Sequence, residues 1–359
     1  MIYGEYMLNP PARTPQALAA AFRIFAKDTQ ASAPLYHMLS PLIAEDEALL
    51  ALVAQTRLGQ PPPIMLFAAV HYLLLGEPSQ PLAAAYPSLG GDDRPSPRFF
   101  GLFRDFCLAR AEPLGALLRQ RITQTNEVRR CALLLPAFAL VQALAHNQPL
   151  ALVEVGASAG LNLNFDRYAY DYGAGRLGAR DSSVVITTEL RGPLRPPVPA
   201  ELPAIAARVG LDLNPIANHD ADGLRWLTAL IWPEHTERFQ NLQAAIEVAQ
   251  RHPPPLIEGD ALALLPVLLS AQPTDAALCV YHTFVTYQFT PDQRVRLDTI
   301  LQEASYERPI YRLSCEGLER EHPEATFTIY AEGVAEQQQL ATCAGHMNWI
   351  EWRHPFIEC

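Results

Sequence analysis

The sequence predicts an α/β protein in which an all-helical N-terminal domain precedes a doubly wound, mostly parallel sheet. The first 145 residues place apolar side chains at helical spacing and contain no convincing alternating strand. From Leu150 onward, short apolar runs alternate with helical stretches, which is typical of βαβ units. A turn containing glycines follows the first of these runs, as at the carboxyl edge of a parallel sheet.

The helical N-terminal domain is predicted over residues 1–145. Thr14 can cap its first helix, because Pro15 suits the first helical position and apolar residues follow at helical spacing. The further predicted helical segments are 41–57, 64–76, 99–109 and 112–145. The apolar runs 64–76 and 131–145 fall short of the roughly 20 residues that span a bilayer. They are therefore expected to be core helices.

The sheet domain is predicted over residues 146–359. Leu150–Val155 is almost continuously apolar, which suits a strand buried on both faces of a parallel sheet. Similar predicted strands are 184–188, 209–213, 255–257, 277–280, 309–313 and 326–330. The predicted helices between them are 222–231, 235–251 and 261–270. Thr290 and Gln293 form a capping box for a helix that continues to about Glu303.

The charge distribution argues against a nucleic-acid partner. The net charge is −11, and residues 146–359 carry fifteen basic against twenty-seven acidic side chains. Phosphate backbones are held mainly by Lys and Arg, so an acidic domain suits a small-molecule or protein partner better. One basic patch is predicted to be a solvated helix face. It consists of Arg119, Arg121, Arg129 and Arg130.

Neither a metal site nor a membrane segment is predicted. The six cysteines include no Cys-x-x-Cys pair, so no zinc or redox motif is indicated. The first residues, MIYGEYMLNPPARTP, lack the basic and apolar regions of a signal peptide. We therefore expect a cytoplasmic protein that is not associated with a membrane.

The stretch Val153–Leu163, VEVGASAGLNL, allows two interpretations. As Gly-x-Ser-x-Gly it is a nucleophile elbow, in which Ser158 would act with Asp260 and His282 in a serine hydrolase. The upstream chain is helical and contains no His-Gly oxyanion loop, which weakens this interpretation. As a cofactor loop, its glycines would let a ligand approach the backbone. Glu154 would then need partners, such as the ammonium group of a cofactor or the backbone N–H groups of the turn.

The second interpretation is carried by a resemblance to the class I S-adenosylmethionine-dependent methyltransferases. The segment from Glu154 through Gly156 and Ser158 to Gly160 is similar to the first motif of that family, with Ser158 replacing a glycine. Within VGLDLNP, Asp212 resembles the acid that binds the ribose, and within EGDAL, Asp260 resembles the acid near the adenine. The resemblance implies a Rossmann-like methyltransferase sheet and S-adenosylmethionine as cofactor.

The resemblance also implies residues that face the substrate. Tyr281 and His282 follow the predicted fourth strand, and His282 is the candidate base. Asp166, Arg167 and Tyr168 follow the loop and are candidate substrate contacts. The helical domain would act as a lid that shapes specificity. The implied activity is methyl transfer to an unknown small-molecule or protein acceptor, with a serine hydrolase and a non-catalytic cofactor-binding module as alternatives.

The spacing of the motifs departs from that of the family. About fifty residues separate the first motif from Asp212, whereas roughly twenty are usual, so residues 165–207 are predicted to be an insertion. Tyr168–Tyr172 could begin a hairpin that continues into Val184–Thr188. If Val184–Thr188 were the second strand, Glu189 would be the ribose acid. Asp212 is the preferred candidate.

A second resemblance covers nearly the whole chain. The segment GASAGLNLNFDRYAYDYG, the later GLDLNP and WP pairing, and the GD motif are similar to an uncharacterised bacterial family. This resemblance implies a shared fold and no particular substrate.

Overall fold

The computed structural model describes residues 12–92, 94–317 and 320–355. The chain divides into two compact units. The first comprises the described residues up to Thr125 together with Ala221–Gln240, and the second comprises Asn126–Asp220 and the described residues from Asn241 onward. The composition placed a domain boundary near residue 146, which stays a prediction.

The α-helices of the described chain lie close to the predicted ones. In chain order they are α1 (Pro15–Thr29), α2 (Pro34–Ile43), α3 (Glu47–Val53), α4 (Pro62–Gly76), α5 (Arg98–Ala109), α6 (Ala111–Gln120), α7 (Cys131–Leu144), α8 (Ala221–Ala229), α9 (Thr236–Arg251), α10 (Ala261–Ser270) and α11 (Pro291–Ala304). The predicted segments 41–57 and 112–145 are each interrupted. In the first segment, Asp46 caps the start of a separate helix, α3. In the second, no α-helix covers the residues between α6 and α7.

Two capping signals are confirmed. The Thr14 side chain accepts a hydrogen bond from the backbone N–H of Ala17, with Pro15 at the start of α1. At the start of α11, Thr290 and Gln293 exchange both bonds of a capping box. Each cap satisfies backbone N–H groups that the first turn of a helix leaves unpaired.

The first unit has its own hydrophobic core, built around α4. Phe67 is buried and stacks on Tyr36 with ring centroids 4.0 Å apart. Trp226 is buried in the same core, and its indole N–H donates to the carbonyl of Ile122. Trp232 packs against this core.

The described chain contains more strands than were predicted. They are β1 (Leu150–Val155), β2 (Ala169–Asp171), β3 (Arg176–Gly178), β4 (Val185–Thr187), β5 (Glu189–Arg191), β6 (Ile205–Asp212), β7 (Leu256–Glu258), β8 (Ala277–Thr283), β9 (Ile310–Glu316), β10 (Glu324–Ala331), β11 (Val334–Cys343) and β12 (Trp349–Trp352). The first of them, β1, has the predicted bounds, and every residue in it is buried.

The main sheet has the order β5-β12-β11-β10-β9-β8-β1-β6-β7. Its part from β7 to β9 is parallel and has the doubly wound order 3-2-1-4-5. Strands β9 to β12 continue it as an antiparallel meander, and β5 pairs parallel with β12 at the edge. The sheet is therefore Rossmann-like and mostly parallel, and it continues into a meander of which the first two strands, β9 and β10, were predicted.

The two faces of β1 have different neighbours. Val153 and Val155 point to a core that includes Leu265 of α10 and Leu297 of α11. Glu154 points to the opposite face, because side chains alternate along a strand. Tyr281 is in register with Glu154 on β8 and packs edge-to-face on Phe138 of α7, with ring centroids 5.1 Å apart. Helix α7 thus packs on the face that carries Glu154.

The predicted insertion forms a separate three-stranded sheet in the order β3-β2-β4. The predicted hairpin is wrong in its pairing. Strand β2 pairs antiparallel with β3, whereas β4 lies parallel to β2 on its other side. A short strand, β3, was missed because its burial is slight and its sequence is not apolar.

The cysteines of the described chain are free thiols, while Cys359 and residues 1–11 lie outside the described residues. Among the described helices, each is too short or too polar to cross a membrane.

Candidate functional site

The carboxyl end of β1 is the topological switch point of the sheet. Parallel strands β6 and β8 flank β1, and ligands of such sheets bind outside the carboxyl ends at this point. The loop after β1 has left-handed backbone at Gly156, Ser158 and Gly160, with φ of 74°, 55° and 69°. Ser158 has this conformation without being glycine, which stores strain of about 1 kcal/mol or more.

The glycines of this loop are required by the chain's own packing. A Cβ atom on Gly156 would lie 2.4 Å from a methyl group of Val285. A Cβ atom on Gly160 would lie 2.7 Å from the ring of Pro254. Val285 therefore occupies the space beside Gly156, and a ligand that touched the backbone there would have to displace it.

Asp212 fastens the loop to the end of β6. One carboxylate oxygen accepts a hydrogen bond from the backbone N–H of Ser158, and the other accepts from that of Asn214, each at 2.8 Å. Strand β6 is the neighbour of β1, so Asp212 holds the position of the second-strand acid. Glu189 lies instead on the edge strand β5, where it is exposed and pairs with Arg191.

Glu154 is a buried carboxyl group of which one oxygen, Oε2, has no hydrogen-bond partner within the described residues. It is 2% exposed, and burial raises its pKa to about 8. Tyr281, Arg130 and Asn162 lie close enough to favour its ionised form, but they offset only part of this effect. Within the described residues, no hydrogen bond reaches Oε2 of Glu154, the hydroxyl of Tyr281 or Nδ2 of Asn162. Such orphaned buried atoms are rare and call for an explanation.

A second buried ionisable side chain, Arg130, contacts the end of β8. Arg130 is 9% exposed, and its Nη1 atom donates to the carbonyl and the hydroxyl of Thr283, both at 3.1 Å. Its guanidinium lies 4.8 Å from the ring centroid of Phe284. Phe284 has a φ of 55°, a strained conformation for a bulky residue, and its N–H donates to Cys315. Strained backbone thus follows both β1 and β8.

His282 belongs to a different cluster on the other face of the sheet, because it follows Tyr281 in β8. Its Nδ1 atom donates to Glu316 at 2.6 Å, and its Nε2 atom accepts from Nε of Arg312 at 3.1 Å. Burial lowers the pKa of His282. Both ring nitrogens are therefore engaged, and neither bonds Ser158 or Asp260 as a hydrolase triad would require.

Asp260 and Ser158 have separate surroundings. The exposed carboxylate of Asp260 caps α10 by accepting from the N–H of Leu262 at 2.9 Å. The Ser158 hydroxyl is buried and has no hydrogen-bond partner within the described residues. Asp260 thus has a local structural contact, whereas the hydroxyl of Ser158 has none.

The predicted substrate residues have different surroundings. Asp166 forms a two-pronged ion pair with Arg208, at 2.7 and 2.8 Å. The Tyr168 hydroxyl is buried and donates to the carbonyl of Leu161 at 2.6 Å. Nε of Arg167 has no partner within the described residues. Of the predicted substrate residues, Tyr281 is the one that lies beside Glu154.

Sequence reasoning missed two residues of this site. Arg130 was assigned to a solvated basic patch, which is wrong for Arg129 and Arg130, because they are 8% and 9% exposed. Asn162 was not singled out, although a polar side chain between the apolar residues Leu161 and Leu163 was a readable signal.

The fold defines the class of this protein as α/β with a Rossmann-like sheet. Buried polar groups around Glu154 lie at the switch point of that sheet. Residues 19–352 match the model of the family described as "Uncharacterized protein conserved in bacteria (DUF2332)". The chain therefore belongs to that bacterial family. Neither a curated protein nor a solved structure matches the chain.

Proposed function

We propose that the switch point binds S-adenosylmethionine and that the protein is a methyltransferase acting on a small-molecule or protein acceptor. The observation that carries the proposal is the buried carboxyl of Glu154, one oxygen of which accepts no hydrogen bond from the part of the chain that the structure describes. A buried carboxylate is costly unless a cation or several donors satisfy it. The ammonium group of S-adenosylmethionine is a cation of the required sign.

The neighbouring residues fit other parts of the cofactor. Asp212 is half-buried at the end of β6, the strand next to β1, and a carboxylate at this position suits the hydroxyls of a ribose. The Ser158 hydroxyl is a further group in need of a partner. Val285 is the obstacle, since it contacts Gly156, so binding requires this side chain to turn away.

Methyl transfer from this cofactor depends mainly on alignment, because its sulfonium already activates the methyl group. The chain's contribution is then to orient the acceptor and to exclude water. For His282 to act as the predicted base, it would first have to release the hydrogen bond from Arg312. The serine hydrolase alternative has less support, because His282 bonds Glu316 and Arg312 rather than Ser158.

Calorimetric titration with S-adenosylmethionine and S-adenosylhomocysteine tests the proposal. We expect wild-type binding, and a loss of roughly tenfold or more in Glu154→Gln, because the variant removes a charge-assisted contact. Since burial raises the pKa of Glu154 to about 8, binding of a cation should release a proton. Affinity should therefore rise from pH 5 to pH 8.

Glu247→Gln is the matched control, because it makes the same change at an exposed position of α9. Absence of binding by the wild type would overturn the proposal, as would equal affinity in Glu154→Gln. Labelling of Ser158 by a fluorophosphonate would favour the hydrolase. Tight binding without methyl transfer to any acceptor tested would favour a cofactor-binding module.

A further inference from the structure

We infer that Arg130 binds an anionic group, and that the methyl acceptor carries this group as a carboxylate or a phosphate. The assignment to an acceptor rests on the proposed function, whereas the binding of an anion does not.

The first argument is that Arg130 is a buried charge that forms no ion pair within the described residues. Its ordered bonds run to the two neutral oxygens of Thr283, and Nε has no partner within the described residues. Glu127, Glu154 and Glu316 are near enough to act on it electrostatically, but none forms an ion pair with it. A buried guanidinium without a direct ion pair is costly, and an anionic ligand in contact with it lowers that cost.

The second argument is the position of Arg130 in the fold. Thr283, which it contacts, is the last residue of β8, at the edge of the sheet where ligands bind. Arg130 also directly precedes α7, and the N-terminus of a helix favours negative charge. The planar guanidinium suits the two oxygens of a carboxylate or the oxygens of a phosphate.

The third argument separates the acceptor from the cofactor. Glu154 and Asp212 lie on β1 and β6, whereas Arg130 is bound to β8 on the other side of β1. A cation held by Glu154 is attracted to the carboxylate and repelled by Arg130. The two charges therefore favour groups of opposite sign, with the anionic one on the β8 side.

Thermal-shift and calorimetric titrations with succinate and inorganic phosphate test the anion site. We expect both anions to stabilise the wild type more than chloride at equal ionic strength does. Arg130→Met should weaken their binding roughly tenfold or more. Its melting temperature without ligand should not fall, because the change removes an unpaired buried charge. A purely structural Arg130 would instead lower the melting temperature.

Two further variants keep the test decisive. Arg251→Gln removes an exposed arginine of α9 and should bind the anions as the wild type does. If Arg130→Met does not fold, Arg130→Lys retains the charge but loses the planar fork, and should bind the anions several-fold more weakly. Undiminished anion binding in either Arg130 variant would overturn the inference.

A final comparison identifies the source of the anionic group. Wild type and Arg130→Met are titrated with S-adenosylhomocysteine and with 5′-methylthioadenosine, which lacks the amino-acid part. Equal affinity of both proteins for S-adenosylhomocysteine supports an acceptor group. A loss limited to S-adenosylhomocysteine would mean that Arg130 binds the cofactor's own carboxylate, and would overturn the acceptor assignment. Anion binding without any nucleoside binding would leave the anion site intact and refute the proposed function.

Discussion

Glu154 is buried and Glu316 is half-buried near the carboxyl edge of the same sheet, and the two glutamates differ in their hydrogen bonds. Burial raises the pKa of both carboxyl groups, but for Glu316 this is outweighed by the His282 ring and by the backbone N–H groups of Val285 and Thr286. The pKa of Glu316 therefore lies below its usual value, whereas that of Glu154 lies at about 8. Burial alone does not decide protonation, because the available donors do.

The two clusters consequently have different roles. Around Glu316, the bonds continue from His282 through Arg312 to Asp298 and Tyr330, and they fix the turn after β8. The fold itself explains that network. Around Glu154, the hydroxyl of Tyr281 and Nδ2 of Asn162 have no hydrogen-bond partner within the described residues, which is the property expected of a binding site.

The largest effect is expected from breaking the satisfied cluster. Glu316→Ala leaves the His282 ring and two backbone N–H groups without their acceptor, so stability should fall by about 3–5 kcal/mol. Urea unfolding at pH 7 measures this change. Glu321→Ala, at an exposed position, is the control and should change stability by less than about 0.5 kcal/mol. A similar small change in Glu316→Ala would contradict the network.

An effect of opposite sign is expected from Glu154→Gln. Below pH 4.5 the carboxyl is neutral in both states, whereas between pH 4.5 and about 8 the unfolded chain ionises and the folded one keeps its proton. Wild-type stability should therefore fall as the pH rises, and the variant should escape this loss. The difference in the pKa of Glu154 between the folded and the unfolded chain is worth roughly 5 kcal/mol of stability. The buried amide of Gln leaves hydrogen bonds unmet, so the variant's advantage should be about 2–4 kcal/mol.

Denaturant unfolding at pH 4 and pH 8.5 measures this difference between wild type and Glu154→Gln. The advantage of the variant should be present at pH 8.5 and absent at pH 4. If the variant is less stable at both values, Glu154 has partners in solution that resemble those of Glu316, and the contrast between the two clusters disappears.

The smallest effect concerns Asp260, for which a capping role and a ligand role give different results. Asp260→Ala should cost about 1 kcal/mol because α10 loses its N-cap, whereas Asp260→Asn keeps the cap and should be nearly neutral. If Asp260 only caps α10, Asp260→Asn binds S-adenosylhomocysteine as tightly as the wild type. A loss of affinity at unchanged stability would instead assign it to the cofactor site.

Much of the fold could be predicted from the sequence because it depends on local patterns. The apolar run of β1, the capping box of α11 and the proline at the start of α1 each act within a few residues. The meander strand β11 was missed because six of its ten residues are exposed, so its sequence carries no apolar run. The interruption between α6 and α7 was missed because polar residues there also suit a helix surface.

The sequence by itself determined the succession of helices and strands and the glycine turn after β1, because spacing and turn chemistry act between near neighbours in the chain. The tertiary structure alone decided that Arg130 is buried beside Thr283, that His282 bonds Glu316, and that Glu154 faces Tyr281. These contacts join residues far apart in sequence. The protonation states of these side chains depend on burial and on the donors that the fold brings within reach. Neither can be read from a pattern in the sequence.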